Sequence, residues 1–239
     1  MSISIKWFPP SWFQIRTKDK TVYIDPAYLR TFFTRYPKRI EFTAWPDPID
    51  GLPENLEKAD AILITHDHKD HCKNVTVNRL RRTDTLIVAP KRCAKELGKY
   101  IRVIKPGEAV TFGDIKIRPV EAYNTEGGSS TRKLHRKGNG VGYLLNTRGK
   151  TIYHAGDTDF IPEMRELGNV DVALIPIGGK FTMDIRDAVK AVIAINPKVA
   201  IPMHMHHLKA DPYEFKDQVE AKSEITVVPL KIGETYHLK

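Results

Sequence analysis

A layered α/β fold is what the sequence predicts, and three observations carry that expectation. Short apolar runs bounded by Gly, Pro or Asp recur along the chain, as buried strands do. Amphipathic stretches alternate with them in both halves, so two β-rich halves should carry helices on their outer faces. The 239 residues are enough for one well-buried core, and residues 1–239 are read as a single domain.

Taken in order, the expected strands are Ile3–Trp7, Trp12–Arg16, Thr21–Ile24, Ala61–Ile64, Thr85–Val88, Ile115–Glu121, Gly140–Leu145, Thr151–His154, Val172–Ile175, Val199–Ile201 and Ile225–Val228. Helical signals are fewer. Ile185, Val189, Val192 and Ile193 give Asp184–Ile195 helical spacing, with Thr182 as the expected N-cap and Pro197 past the end. Pro212 opens a second helix over Pro212–Ala221, since proline suits a first helical position. Asn74–Arg81 and Ala94–Tyr100 are weaker helices, and Tyr28–Pro53, rich in aromatics and prolines, reads as a long loop.

Composition excludes several classes. Hydrophobic residues make up 41% and charged residues 28%, the balance of a soluble globular protein. No run of about 18 apolar residues offers a membrane span. The opening Met1–Phe13 has no basic segment followed by an apolar one, so a cytoplasmic location is expected. Two cysteines, Cys72 and Cys93, are too few for a disulfide framework. The net charge of +9 permits an anionic substrate. Because the basic residues are spread along the chain, a solvated surface is the preferred reading of most of them.

The strongest chemical signal is His66-Asp67-His68-Lys69-Asp70-His71, directly after the apolar run Ala61–Ile64. In extended backbone His66 and His68 point to the same side and can share one ion. Asp70 and His71, in the turn beyond, can reach a second. Imidazole suits zinc, and a carboxylate completes a mixed site. Two ions about 3.5–4 Å apart can polarise an ester or phosphoryl oxygen and hold a bridging hydroxide. Two further clusters also end apolar runs: Gly156-Asp157 after Thr151–His154, and His204, His206 and His207 after Val199–Ile201. Sites gather at strand ends in such folds. His204, nearest the strand, is the preferred ligand of its cluster, with His206 and His207 left to supporting, substrate-facing or merely exposed roles.

These residues resemble a known family. His66-x-His68-x-Asp70-His71 is similar to the hallmark motif of the metallo-β-lactamase superfamily, whose fold is a four-layer αββα sandwich with a two-metal site. Asp25, in Tyr23-Ile24-Asp25-Pro26, resembles the superfamily's first motif, a supporting residue rather than a ligand. Asp157 resembles the bridging aspartate and His204 the final histidine. Tyr153–Thr158, Pro176–Gly179 and Pro202–His204 further resemble the branch that contains L-ascorbate-6-phosphate lactonase. The resemblance runs from about Lys6 to Glu234. It departs in two places. Pro9-Pro10 follows Trp7-Phe8 where the branch often has Gly-His, and Asn124 stands where a third-motif histidine is expected. His135 is the one histidine between His71 and His154, and it is read as the missing ligand, delivered by the loop after Asn124.

The resemblance implies a metal-dependent hydrolase of lactonase or phosphodiesterase type. His66, His68 and His135 would hold the first of two divalent ions. Asp70, His71 and His204 would hold the second, with Asp157 bridging. Zinc fits the histidine-rich shell and manganese is the alternative. A hydroxide bridging the ions would attack the substrate, and Asp70 would serve catalysis by orienting it. Arg132, Arg136 and Lys180 are the candidate substrate-binding residues, suited to a small anionic ester, lactone or phosphoester through charge-assisted hydrogen bonds. Lys133 and Lys137 share the basic loop with the first two. A nuclease or cyclic-nucleotide phosphodiesterase is the first alternative, with nucleic acid less favoured because no basic–aromatic arm is evident. A non-catalytic metal-binding scaffold is the second. A membrane partner is not expected, and a homo-oligomer is compatible with the sequence. Cys72, next to His71, is read as a buried neighbour before a ligand.

Overall fold

The computed structural model describes residues 3–27, 56–205 and 210–239. The whole of the expected loop Tyr28–Pro53 therefore lies outside the described residues, and so do His206 and His207. The chain divides into two units, residues 1–103 with 230–239, and residues 104–229.

The first unit is built on a mixed sheet of β1 (Ile3–Phe8), β2 (Trp12–Arg16), β3 (Thr21–Ile24), β4 (Ala59–Leu63), β5 (Arg81–Ala89), β6 (Arg102–Val103) and β14 (Thr235–Leu238), in the order β14-β1-β2-β3-β4-β5-β6. The β14 to β3 pairs are antiparallel, and β3 to β6 run parallel. One apolar cluster includes Trp12, Tyr23 and Ile62 of the sheet with Val77 and Leu80 of α1 (Asn74–Leu80) and Leu97 of α2 (Ala94–Leu97). Burying these side chains is what holds two short, uncapped helices in place. Cys72 and Cys93 lie in the same cluster, both buried as free thiols.

The second unit carries a second mixed sheet. Its strands are β7 (Val110–Phe112), β8 (Ile115–Ala122), β9 (Gly140–Thr147), β10 (Lys150–His154), β11 (Val172–Pro176), β12 (Val199–Met203) and β13 (Thr226–Val227), ordered β13-β12-β11-β10-β9-β8-β7. The β10 to β13 pairs are parallel and the β7 to β10 pairs antiparallel. Strand β11 is buried along its whole length, the pattern of a parallel strand covered on both faces. Helix α3 (Ile185–Ile195) buries Ala188, Val189, Ala191, Val192 and Ile195 and packs on β11 and on α4 (Pro212–Glu220).

Three expectations are corrected. The N-cap of α3 is Asp184, whose side chain accepts from the Asp187 backbone N–H, rather than Thr182. A carboxylate there also faces the positive end of the helix. The Ala94–Tyr100 helix stops at Leu97, because Gly98 takes a φ of 75° that glycine adopts readily. The strands Arg102–Val103, Val110–Phe112 and Thr235–Leu238 were not expected: the first two are shorter than the about four residues that period-2 patterning needs to show, and the third only just reaches that length.

Candidate metal centre

In the first unit the parallel strands β3 and β4 each end on a candidate residue. Asp25 directly follows β3 in a left-handed conformation (φ 49°), a costly backbone for a residue other than glycine. Its N–H is tied to the Leu63 carbonyl at 2.9 Å. Its buried carboxylate accepts three bonds: Oδ1 from the Thr65 N–H at 2.7 Å, and Oδ2 from the Thr65 hydroxyl at 2.6 Å and His71 Nδ1 at 2.7 Å. These offset the cost of burying the charge. They also set protons. With its Nδ1–H given to Asp25, His71 presents a bare Nε2. The Thr65 hydroxyl spends its proton on Asp25, so its lone pair accepts from His66 Nδ1 at 2.9 Å. His66 Nε2 is then the coordinating atom, and it faces His68 Nδ1 at 3.0 Å. Asp70 Oδ2 lies 3.7 Å from His71 Nε2.

In the second unit the ligand candidates come from three separate segments. Asp157 follows β10 through Gly156, at φ 65°. His204 follows β12 and is again left-handed, at φ 55°. His135 arrives on the loop between β8 and β9. All three are buried and meet at one atom: Asp157 Oδ2 is 3.3 Å from His135 Nε2 and 3.2 Å from His204 Nε2. One carboxylate oxygen thus lies within reach of two imidazole nitrogens.

The His135 loop is pinned by Asp159, which is fully buried. Its carboxylate accepts from Thr125 N–H at 2.9 Å, Ser130 N–H at 3.0 Å, Ser130 Oγ at 2.7 Å and Lys133 Nζ at 3.2 Å. Gly128 is needed there, since a Cβ at that position would lie 2.3 Å from Asp159 Cγ. Lys133 is thus committed to the loop's own structure. Lys137 is committed to Glu163 at 2.7 Å, and that pairing holds the Glu163 carboxyl below its ordinary value although burial alone would raise it. Arg132 and Arg136 are exposed, and among the described residues neither guanidinium has an ion-pair partner. Lys180 places its ammonium 5.2 Å from the Phe181 ring centre.

The donor set fits divalent ions. Among the described residues, those able to hold a metal ion are His66, His68, Asp70, His71, His135, Asp157 and His204. At least three of the imidazoles have Nδ1 turned to an acceptor and Nε2 left to coordinate, as ligating histidines do. Sequence reading missed Thr65 and Asp159, which carry no metal-binding signature of their own. Asp159, two residues past Asp157 in Asp157-Thr158-Asp159, was the visible hint of a second buried carboxylate.

Comparison with known proteins agrees with this geometry. Residues 4–204 match the family model described as a beta-lactamase superfamily domain. A UPF0173 metal-dependent hydrolase of Thermofilum pendens is 38% identical over 207 residues, covering 82% of this chain and 88% of that one. One of Pyrococcus furiosus is 39% identical over 195 residues, covering 78% and 84%. The solved structure of Igni18, a metallo hydrolase from Ignicoccus hospitalis, superposes with a TM-score of 0.75 at 26% identity over 100% of this chain and 99% of its own. The expected αββα class is therefore borne out, and the chain belongs to the metallo-β-lactamase superfamily.

Proposed function

We propose that the chain is a metal-dependent hydrolase that takes a small anionic ester, lactone or phosphoester. The observation that carries this reading is the engagement of the histidines' Nδ1 atoms. His66 and His71 in the first unit and His135 in the second each turn Nδ1 to an acceptor, leaving Nε2 for a cation. His66, His68 and His135 are assigned to a first divalent ion and Asp70, His71 and His204 to a second, with Asp157 shared. Zinc is the expected metal, with manganese as the alternative. Such ions, when bound, polarise the scissile group and make a water acidic enough to react near neutral pH.

The chain's own residues do the rest. Asp25 and Thr65 hold His66 and His71 in register. Asp157 keeps His135 and His204 turned to a common point. Asp70, partly exposed, orients the attacking water. Arg132 and Arg136, with no competing carboxylate, receive the anionic end of the substrate as a forked donor receives a phosphate or carboxylate.

The test is hydrolysis of phosphorylated lactones, carboxylate-bearing esters and model phosphodiesters. Activity on at least one class should disappear after dialysis against a chelator and return with zinc or manganese. Activity that survives chelation and metal analysis at background would defeat the proposal.

A further inference from the structure

Asn124 occupies the position where the branch's pattern calls for a histidine. It stands just past the end of β8, half-buried, with three hydrogen-bond contacts to His135 at the far end of its own loop and a fourth to Phe181. Its backbone N–H donates to the His135 carbonyl at 2.7 Å. Its side-chain Oδ1 accepts from the His135 backbone N–H at 2.9 Å and lies 3.1 Å from His135 Nδ1. Its Nδ2 donates to the Phe181 carbonyl at 3.0 Å. The same Phe181 carbonyl lies 3.1 Å from His135 Nδ1.

These contacts fix the orientation of the Asn124 amide and the proton on His135 Nδ1. Turning the amide over would set Nδ2 against the His135 N–H, donor to donor, and Oδ1 against the Phe181 carbonyl, acceptor to acceptor. With the amide fixed, both partners of His135 Nδ1 are acceptors, so Nδ1 must carry the proton. Nε2, on the other side of the ring, faces Asp157 Oδ2 at 3.3 Å.

We propose that Asn124 is a positioning residue that holds the proton on His135 Nδ1 and turns Nε2 toward Asp157, where it can serve as a ligand. This rests on the reading of His135 as a metal ligand. The role differs from that of Asp159, which orders the loop without touching His135. Asn124 reaches the imidazole itself, and the Phe181 carbonyl shares the proton. The neighbour of a ligating imidazole fixes its tautomer and orientation, and its loss weakens metal binding by about 10–100-fold.

The experiment uses full-length protein labelled with ¹⁵N-histidine. Long-range ¹H–¹⁵N spectra of the metal-free form assign the His135 tautomer, and chelator competition gives the zinc affinity. Wild type should show Nδ1–H. Asn124→Ala should shift His135 towards Nε2–H and lower zinc affinity by about 10–100-fold. Asn124→Asp keeps the acceptor while giving up the donor to Phe181. It should keep Nδ1–H and recover most of the affinity. Should Asn124→Ala unfold, the Asp variant against wild type still reads the acceptor's role. An unchanged tautomer and affinity in Asn124→Ala, or an Asp variant that loses the tautomer, overturns the inference. His135→Ala separates the two readings: if it leaves zinc affinity unchanged, His135 is no ligand and the underlying assignment falls. If it weakens zinc binding while Asn124→Ala does nothing, only the role of Asn124 falls.

Discussion

The two units hold their ligands in different ways. In the first, four candidate ligands lie within six consecutive residues, His66 to His71, and one buried carboxylate, Asp25, governs two of them. In the second, His135, Asp157 and His204 come from three distant segments, and the imidazole of His135 is held by an amide and a backbone carbonyl. A carboxylate behind an imidazole makes a stronger, charge-assisted bond and a more basic ligand than a neutral acceptor does. The first unit should therefore bind a cation more tightly per histidine, and damage to Asp25 should cost more than damage to Asn124.

The largest expected effect follows from that ordering. In Asp25→Asn an amide N–H₂ meets either the Thr65 and His71 donors or the Thr65 N–H, so at least one donor is left facing a donor. We expect about 3 kcal/mol of lost stability in urea unfolding and a fall in zinc affinity near the upper end of about 10–100-fold. An effect smaller than that of Asn124→Ala would break the comparison.

Next comes the loop. Asp159→Ala strips the acceptor from Thr125, Ser130 and Lys133 and should cost about 1–3 kcal/mol. Hydrogen exchange should show faster opening confined to residues 124–135. Gly128→Ala forces a methyl group against Asp159 and should cost about 1–3 kcal/mol by overpacking. Normal stability in both would mean the loop does not depend on this carboxylate.

Smaller still is the effect of Arg132→Ala and Arg136→Ala. Exposed and without an ion-pair partner among the described residues, they should change stability by no more than about 0.5 kcal/mol. If they hold the substrate's anion, KM should rise about tenfold with kcat little altered. An unchanged KM removes them from the substrate site.

The smallest effect is a pH dependence in the second unit, remote in sequence from the ligands. Burial alone would raise the Asp171 carboxyl, but Lys198 at 2.7 Å and the Thr151 N–H at 2.8 Å outweigh it and hold it below its ordinary value. A lowered folded value contributes stability that is fully present above the unfolded value of about 3.9. It is lost as pH falls through the lower folded one. Asp171→Asn should flatten the acid limb of the stability curve there, and an identical limb would contradict the assignment.

How much was legible in the sequence follows the same division. The ligands of the first unit sit in one run after one apolar strand, so composition and period alone exposed them. Strands β2 and β3 were read with the bounds the structure has, because both are bounded by charged or turn residues. In the second unit Asp157 and His204 were marked as strand-end candidates, but their joint role with His135 was read only through resemblance, since these residues become neighbours through sheet order rather than chain order. What stayed hidden was the layer behind the ligands. Thr65 and Asp159 act through hydrogen bonds that any hydroxyl or carboxylate could make, and Asn124 read as a missing histidine until its amide was seen against His135.

The most direct test of the central claim is metal content, by elemental analysis, of protein purified without added metal, beside His135→Ala prepared in the same way. We predict about two zinc or manganese ions per chain in the wild type, and a clear drop in the variant as the ion assigned to His66, His68 and His135 is lost. One ion or none, unchanged by the substitution, would contradict the proposed pair of ions and the reading of His135 as a ligand.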